Sequence, residues 1–153
     1  IGCVRLTERH MASAPATSDQ IQRVEADTDA AIDTVLQSVP LEKATRAVAV
    51  AGTATTIAAA ALGLKTYDSE AINGSSISVD TVQKTAEMLR SMTREERAAL
   101  GYMHPGRVDV IGAGATIYAR IMTRLREITE GNIDSVTVSE HDILDGIALS
   151  QVR

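Results

Sequence analysis

Hydrophobic residues recur at helical spacing over several stretches of this 153-residue chain, with polar residues on the opposite face. Thr17 and Gln20 have the spacing of a capping box and open the first such stretch, which Pro40 ends. The pattern predicts helices at 17–39, 54–64, 80–92, 93–100 and 108–128, and from 142 to the end. The helix at 108–128 has a wide apolar stripe, so we expect it to be buried on more than one side.

Three short segments, 1–9, 47–50 and 133–138, have the composition of strands. Between 65 and 77 we expect an irregular link, with Asn73-Gly74 as a turn signal. The predicted order, β-α-β-α-α-α-α-β-α, indicates an α/β fold that is rich in helix around a short, mostly parallel sheet.

The composition narrows the classes of function. Alanine accounts for 23 residues and the aromatic residues are three tyrosines, which favours helices packed closely on one another or on a sheet. The 20 acidic residues outnumber the 15 basic ones, and the net charge of −5 excludes a generic nucleic-acid-binding module. No run of about 18 apolar residues occurs, so we expect no transmembrane helix.

The single cysteine, Cys3, permits neither an internal disulfide nor a zinc site built on cysteines. We therefore expect a reducing, cytoplasmic location. The sequence starts without a methionine and inside an apparent strand, which suggests a fragment of a longer polypeptide.

The sharpest chemical feature is a glycine turn between a predicted strand and a predicted helix, Val48-Ala-Val-Ala-Gly-Thr-Ala-Thr-Thr56. A helix N-terminus offers free backbone N–H groups and a partial positive charge, and both suit a phosphate. Gly52 lets the backbone approach a ligand closely, and Thr53 or Thr55 could bind a ligand oxygen. The alternative is an ordinary strand-to-helix turn in which a threonine caps the helix.

A second candidate is the rigid loop His104-Pro-Gly-Arg107, which would present Arg107 at the start of the long helix. An arginine there can reach a phosphate, and the alternative is a turn with a surface arginine. Gly112 and Gly114 lower the helix propensity by roughly 1 kcal/mol each, which is understandable if another backbone packs tightly against them.

The segment Ser139-Glu-His-Asp-Ile-Leu-Asp145 concentrates acidic and imidazole groups that resemble a metal cluster. Neighbouring residues diverge on a helix, so we interpret Glu140 and Asp142 as acids of the first helical turn, where they complement the helix dipole. Ser139 and Asp142 are expected to cap that helix. Cys3 is more typical of a small core side chain than of a nucleophile.

Four segments together resemble the exopolyphosphatase/guanosine pentaphosphate phosphohydrolase family. They are Ile1-Gly-Cys-Val-Arg-Leu-Thr-Glu-Arg-His10, Val50-Ala-Gly-Thr-Ala-Thr-Thr56, Met103-His-Pro-Gly-Arg-Val-Asp-Val-Ile111 with Ala113-Gly-Ala115, and Val138-Ser-Glu-His-Asp-Ile-Leu-Asp-Gly146. The segments occur in the family's order and span nearly the whole chain. Each alone is a weak signal, and the combination is specific.

The resemblance implies a fold and a reaction. Members have two domains of the actin-like ATPase (ribonuclease H-like) type with the active cleft between them. They release terminal phosphate from inorganic polyphosphate, or the 5′ phosphate of guanosine pentaphosphate, using Mg²⁺ and a carboxylate-activated water. Their catalytic glutamate and phosphate loops lie N-terminal to the matched part. Residues 1–153 are therefore expected to be part of the second domain, with the N-terminal hairpin missing and without a catalytic residue or metal ligand.

Transferred residue by residue, the resemblance assigns substrate binding to five positions. These are Gly52, Thr53 and Ala54 in the glycine turn, Arg107 in the loop before the long helix, and Cys3 on a strand near the phosphate loops. Because the net charge is −5, binding of a polyanion requires positive potential confined to one face.

The expected partners are inorganic polyphosphate or guanosine pentaphosphate, not nucleic acid or a membrane, and we expect no cofactor bound by this part alone. Without the hairpin, strands at 1–9, 47–51 and 133–138 would not form a contiguous sheet, and their edges would be exposed. This predicts a homodimer, an exchange of elements or contact with the remainder of the parent chain. Two alternatives stay open: a non-catalytic regulatory or nucleotide-binding module, and the ATP-binding half of a kinase-like relative.

Overall fold

The computed structural model describes residues 1–151, and helices make up most of them. The helices are α1 (Cys3–His10), α2 (Ser18–Leu36), α3 (Gly52–Ala61), α4 (Ser69–Ile72), α5 (Val79–Ser91), α6 (Arg94–Ala98), α7 (Ile111–Ile128) and α8 (Ile143–Ser150). The strands are β1 (Val48–Ala49), β2 (Ser76–Ser78) and β3 (Ser135–Val138), and 3₁₀ turns lie at Leu41–Lys43 and Pro105–Arg107. Among these residues, no helix combines the length and the apolarity needed to cross a membrane.

The sheet has the strand order β1-β3-β2 and is mixed, where we expected a mostly parallel one. β1 runs parallel to β3, with Val48 opposite Thr137, and β2 runs antiparallel to it, with Ile77 opposite Val136. The prediction of an irregular link at 65–77 is therefore wrong, because this link contains α4 and most of β2. A three-residue strand has only one inward-facing side chain, so it leaves no periodic pattern in the sequence.

The prediction of a strand at 1–9 is also wrong, because these residues form α1 after Gly2 as N-cap. Cys3, Leu6 and His10 follow the helical spacing i, i+3, i+7, and Leu6 is 2% exposed. Leu6 packs in a second hydrophobic cluster with Val24 of α2. The expected break in the sheet does not arise, since β1 and β3 are hydrogen-bonded neighbours without any contribution from 1–9.

Helix α7 lies at the centre of the fold, and α1, α2, α3 and α5 all pack against it. It begins at Ile111, three residues later than expected, because a turn follows the 3₁₀ segment. Its two glycines do mark tight packing, but the neighbours are side chains and not another backbone. A Cβ at Gly112 would lie 3.0 Å from Nη2 of Arg97, and one at Gly114 would lie 2.8 Å from Oγ1 of Thr53.

The predicted capping boxes determine where two helices begin. Thr17 and Gln20 exchange both hydrogen bonds at the start of α2, and Thr93 and Glu96 do so at the start of α6. Helix α8 is capped by Asp142 with Asp145. Ser139 has no part in that cap, since its hydroxyl donates to the carbonyl oxygen of His141 at 2.8 Å.

Candidate functional site

The structure brings the two sequence-predicted loops together: the side chain of Arg107 lies directly against Gly52. A Cβ built on Gly52 would stand 1.6 Å from Cζ of Arg107, so only glycine leaves room for the guanidinium. As expected, the loop carries the arginine, as the 3₁₀ turn Pro105–Arg107, but Arg107 lies at the start of α3 and not at the start of the long helix, which begins only at Ile111. Nδ1 of His104 accepts from the N–H of Gly106 at 3.1 Å and stabilises this turn.

Gly52 opens α3, so the guanidinium of Arg107 lies at a helix N-terminus. The N–H groups of Gly52, Thr53 and Ala54 donate no hydrogen bond to another residue in the range 1–151. Free N–H groups and the helix dipole give this end a partial positive charge, and the guanidinium adds a full one. The arrangement favours an anion, since the two positive groups otherwise repel each other.

The residue before the helix, Ala51, has φ +70° and ψ 173°. An alanine with positive φ is strained by about 1–3 kcal/mol, and such strain is concentrated at functional turns. An alanine at position 51 does not indicate this strain, because a glycine or asparagine would be expected at this backbone conformation.

No threonine caps α3, so the ordinary threonine-capped turn that we considered is not formed. The hydroxyl of Thr56 donates to the carbonyl oxygen of Gly52 at 2.7 Å, and that of Thr55 lies 3.4 Å from the same oxygen. Both hydroxyls therefore bond along the helix, which leaves its N-terminal N–H groups unoccupied.

The other three predicted site residues, Cys3, Thr53 and Ala54, make packing contacts within the fold. Thr53 and Cys3 both contact Gly114, where a Cβ would be 2.8 Å from the Thr53 hydroxyl and 3.3 Å from Cβ of Cys3. Ala54 is 3% exposed in the main core, so it can offer a ligand only its backbone N–H. The five predicted site residues therefore form two groups. Gly52 and Arg107 lie at the N-terminus of α3, and the side chains of Cys3, Thr53 and Ala54 are engaged in packing.

A tyrosine–carboxylate pair that the sequence analysis missed lies beside Arg107. The hydroxyl of Tyr67 donates to Oε1 of Glu140 at 2.6 Å, across 73 positions of sequence. Burial first, and then this hydrogen bond, raises the pKa of Tyr67, while Thr55 and Arg107 act in the opposite direction. No short-range pattern could have joined residues so far apart in the chain.

A cavity of about 450 Å³ opens between this pair and the loop that carries Arg107. Its lining residues are Tyr67, Gly101, Tyr102, Met103, His104 and Arg107. Tyr102 is 7% exposed and presents an apolar wall, whereas His104 and Arg107 supply polar groups. A cavity with aromatic walls and one guanidinium suits a ligand with a flat ring and a negative group.

Glu140 precedes the final helix, and a contact with the distant residue Asn73 holds its backbone. Its N–H donates to Oδ1 of Asn73 at 3.1 Å, and α8 begins three residues later, so Glu140 is not an acid of its first turn. Nδ1 of His141 lies 3.4 Å from Oδ1 of Asp145. In the part of the chain that the structure describes, no three His, Cys, Asp or Glu side chains are placed to share a metal ion.

Arg107 differs from most other arginines in its electrostatic environment. Within the described part of the chain, seven arginines form salt bridges: Arg9, Arg23, Arg90, Arg94, Arg120, Arg124 and Arg126. Arg107 has no carboxylate within salt-bridge distance among residues 1–151. Arg107 therefore adds positive charge that no ion pair compensates to the N-terminus of α3, on a chain whose net charge is −5.

Comparison with known proteins decides the family. The model of the Ppx/GppA phosphatase family matches residues 1–151. This chain belongs to the Ppx/GppA phosphatase family. Exopolyphosphatase 2 of Mycobacterium tuberculosis is similar to the chain, with 46% identity over 150 residues that make up 98% of this chain and 46% of that protein.

Solved structures of Ppx/GppA proteins share the fold. An exopolyphosphatase-like protein superimposes with a TM-score of 0.95 at 40% identity, over 99% of this chain and 48% of that one. The Aquifex aeolicus PPX-GPPA enzyme gives 0.82 at 26% identity, over 98% of this chain and 47% of that one. The expected fold class, part of an actin-like ATPase domain, is confirmed. The chain spans about half the length of the relatives it matches.

Proposed function

We propose that this chain supplies phosphate-binding elements to a phosphohydrolase that releases terminal phosphate from inorganic polyphosphate, or the 5′ phosphate of guanosine pentaphosphate. The observation that carries the proposal is the guanidinium of Arg107 seated on Gly52 at the free N-terminus of α3. Membership of the Ppx/GppA family supports phosphoanhydride hydrolysis as the reaction.

Each group has a role that its chemistry allows. The planar guanidinium of Arg107 can donate two parallel hydrogen bonds to phosphate oxygens. The N–H groups of Thr53 and Ala54 can donate to a neighbouring oxygen of the same phosphate or of the next one along the polymer. These donors orient the substrate and stabilise charge that develops on its oxygens. We assign no proton transfer and no water activation to this chain.

Enzymes of the Ppx/GppA family generally depend on a divalent metal ion. The described residues do not fit a Mg²⁺ site, because no three carboxylate or imidazole groups come together. In the proposal the metal ligands and the catalytic carboxylate therefore come from outside this chain, and residues 1–153 form part of a second domain.

The open edge of β1 supports this assignment. Among the residues that the structure describes, β1 pairs only with β3, and Val48 and Val50 are 57% and 47% exposed. A largely apolar groove of about 480 Å³ beside them also contains Gly2 and Cys3 at the start of α1. We propose that the remainder of the parent chain, or a second copy, covers this edge. Sedimentation of residues 1–153 tests the second copy: a homodimer supports it, and a stable monomer at high concentration contradicts it.

The cavity between Tyr67 and Tyr102 gives a reason to retain the nucleotide-binding alternative. Its volume and aromatic walls suit a purine ring whose phosphates extend toward Arg107. If a nucleoside occupies it, replacing Tyr67 by alanine will weaken guanosine pentaphosphate binding and leave polyphosphate binding unchanged. An equal effect on both substrates would remove this alternative.

The central test is phosphate release by a polypeptide of the relatives' full length that carries these residues. We expect Arg107→Gln to raise KM and lower kcat/KM. Arg126→Gln removes two surface ion pairs and should change neither. Residues 1–153 alone should release no phosphate. Unchanged kinetics in Arg107→Gln, or hydrolysis by residues 1–153 alone, would contradict the proposal.

The proposal includes a cytoplasmic location, which rests on the absence of any cysteine other than Cys3.

A further inference from the structure

A second polar cavity, of about 370 Å³, lies where α1 and α6 meet the first turn of α7. Its lining residues include Thr7, Arg94, Arg97, Asp109, Gly112 and Ala113. The two cavities share no lining residue, so this one is separate from the cavity beside Arg107. We call it the α7 cavity.

The α7 cavity contains a buried cation without a counter-ion. Arg97 is 3% exposed, and no carboxylate lies within salt-bridge distance of it among residues 1–151. Its Nε donates to the carbonyl oxygen of Leu89 at 2.7 Å, and Nη2 lies 3.4 Å from that of Arg90. Nη1 donates to no residue that the structure describes. Burial lowers the pKa of Arg97, because removing the charged guanidinium from water is energetically unfavourable.

Further donors meet the same space. The N–H groups of Gly112 and Ala113, in the first turn of the 18-residue helix α7, have no acceptor in the range 1–151. The hydroxyl of Thr7 is buried and also lacks a hydrogen-bond partner among the described residues. Gly112 brings its backbone close to the guanidinium, since a Cβ there would be 3.0 Å from Nη2 of Arg97.

Asp109 acts on Arg97 only at a distance: its charge raises the pKa of Arg97 and partly offsets the effect of burial, but it forms no salt bridge with Arg97. Oδ1 of Asp109 accepts from Nε of Arg94 at 2.7 Å, and both side chains of this pair are about 60% exposed. Glu95 is exposed as well. The charges of Arg94 and Asp109 therefore cancel at the mouth, while the buried interior presents one cation and several donors.

We propose that the α7 cavity binds a small tetrahedral oxyanion of the orthophosphate or sulfate type, held by Arg97, the N–H groups of Gly112 and Ala113, and the hydroxyl of Thr7. A tetrahedral anion has enough acceptor oxygens for all of these donors and supplies the missing negative charge. The site is independent of the proposed polyphosphate contact at Arg107.

The test follows the amide signals of Gly112 and Ala113 by NMR while sodium phosphate replaces sodium chloride at constant ionic strength, in a polypeptide containing residues 1–153. We expect saturable shifts with phosphate and with sulfate. Shifts with acetate and none with phosphate would overturn the oxyanion assignment. No shift with any of them would overturn the proposal and leave Arg97 as a cap on the carbonyl end of α5.

Three variants separate the site from its surroundings. Thr7→Val keeps the side-chain shape, removes the unpaired hydroxyl and should weaken phosphate binding about tenfold. Thr34→Val is the matched control, because the hydroxyl of Thr34 donates within α2, and it should leave phosphate binding unchanged. Arg107→Gln should also leave these shifts unchanged, and their loss in that variant would mean that phosphate acts from the other site. Unaltered affinity in Thr7→Val would contradict the assigned role of the hydroxyl.

Discussion

Replacing Gly52 by alanine tests the contact on which the proposed function depends. The new Cβ would stand 1.6 Å from Cζ of Arg107, whereas ordinary contact begins at 3.4 Å. The guanidinium must therefore retreat by about 1.8 Å, which is the difference between these distances. A hydrogen bond to phosphate of about 2.8 Å does not survive such a shift.

The expected effect on activity is large, and the effect on stability is small. Loss of a hydrogen bond to a charged group costs about 1.5–3 kcal/mol, so kcat/KM should fall roughly 10- to 100-fold. The obstacle is the far end of a flexible side chain, and Gly52 does not have a positive φ. Alanine is also the better helix former by about 1 kcal/mol, so the melting temperature should stay unchanged or rise.

The assay is phosphate release from polyphosphate by the full-length polypeptide, with the melting temperature measured in parallel. Gly146→Ala in α8 is the matched control, because a Cβ there has nothing within 4 Å. It should not alter the kinetics. If Gly52→Ala kept full activity, the position of Arg107 at the α3 N-terminus would not matter, and our reasoning would be refuted.

A double substitution makes the test sharper. If alanine at 52 acts only by displacing Arg107, then adding it to Arg107→Gln should cost nothing further. Additive losses would mean that Gly52 contributes by itself, through its own N–H or through close approach of its backbone to the substrate.

Three further outcomes are expected. Ala51→Gly should stabilise the protein by about 1 kcal/mol in urea unfolding, since glycine adopts φ +70° without strain; a loss of stability would contradict the strain. The hydrogen bond from Arg120 lowers the pKa of Asp29 below 3.8, so Asp29 stabilises the fold above that pH and loses this effect as the pH falls through its lowered pKa. Asp29→Asn should therefore flatten the acid side of the stability profile, and an unchanged profile would argue against the pair. Glu140→Gln should lower the pKa of Tyr67 in an ultraviolet titration, because it removes the neighbouring carboxylate that disfavours the phenolate.

Local sequence signals were sufficient where the decisive interactions span one helical turn. The capping boxes at Thr17 and Thr93 are formed as their spacing predicted, because each joins residues only three positions apart. The apolar stripe of α7 was visible for the same reason. The turn Pro105–Arg107 was expected as a rigid loop, and His104 caps it from two positions away.

Local signals failed where the outcome depends on distant partners. Residues 1–9 have apolar positions compatible with a strand or a helix, and the pocket for Leu6 between α2 and α7 selects the helix. β2 exists because β3 offers it hydrogen bonds across 59 positions of sequence, from Ile77 to Val136. In both cases the residues that decide the local structure are distant in sequence from the segment concerned.

The candidate site shows the same division. The sequence by itself determined the residues and motifs of the site. These are a glycine turn before a helix, an arginine in a proline-containing loop, and four segments whose combination is typical of the Ppx/GppA family. Only the tertiary structure decided that Arg107 lies on Gly52, that Tyr67 meets Glu140, and that Arg97 is buried without a salt-bridge partner in the range 1–151. The physical reason is that charge and hydrogen bonding act over a few ångströms of space, and chain folding alone brings such groups within that range.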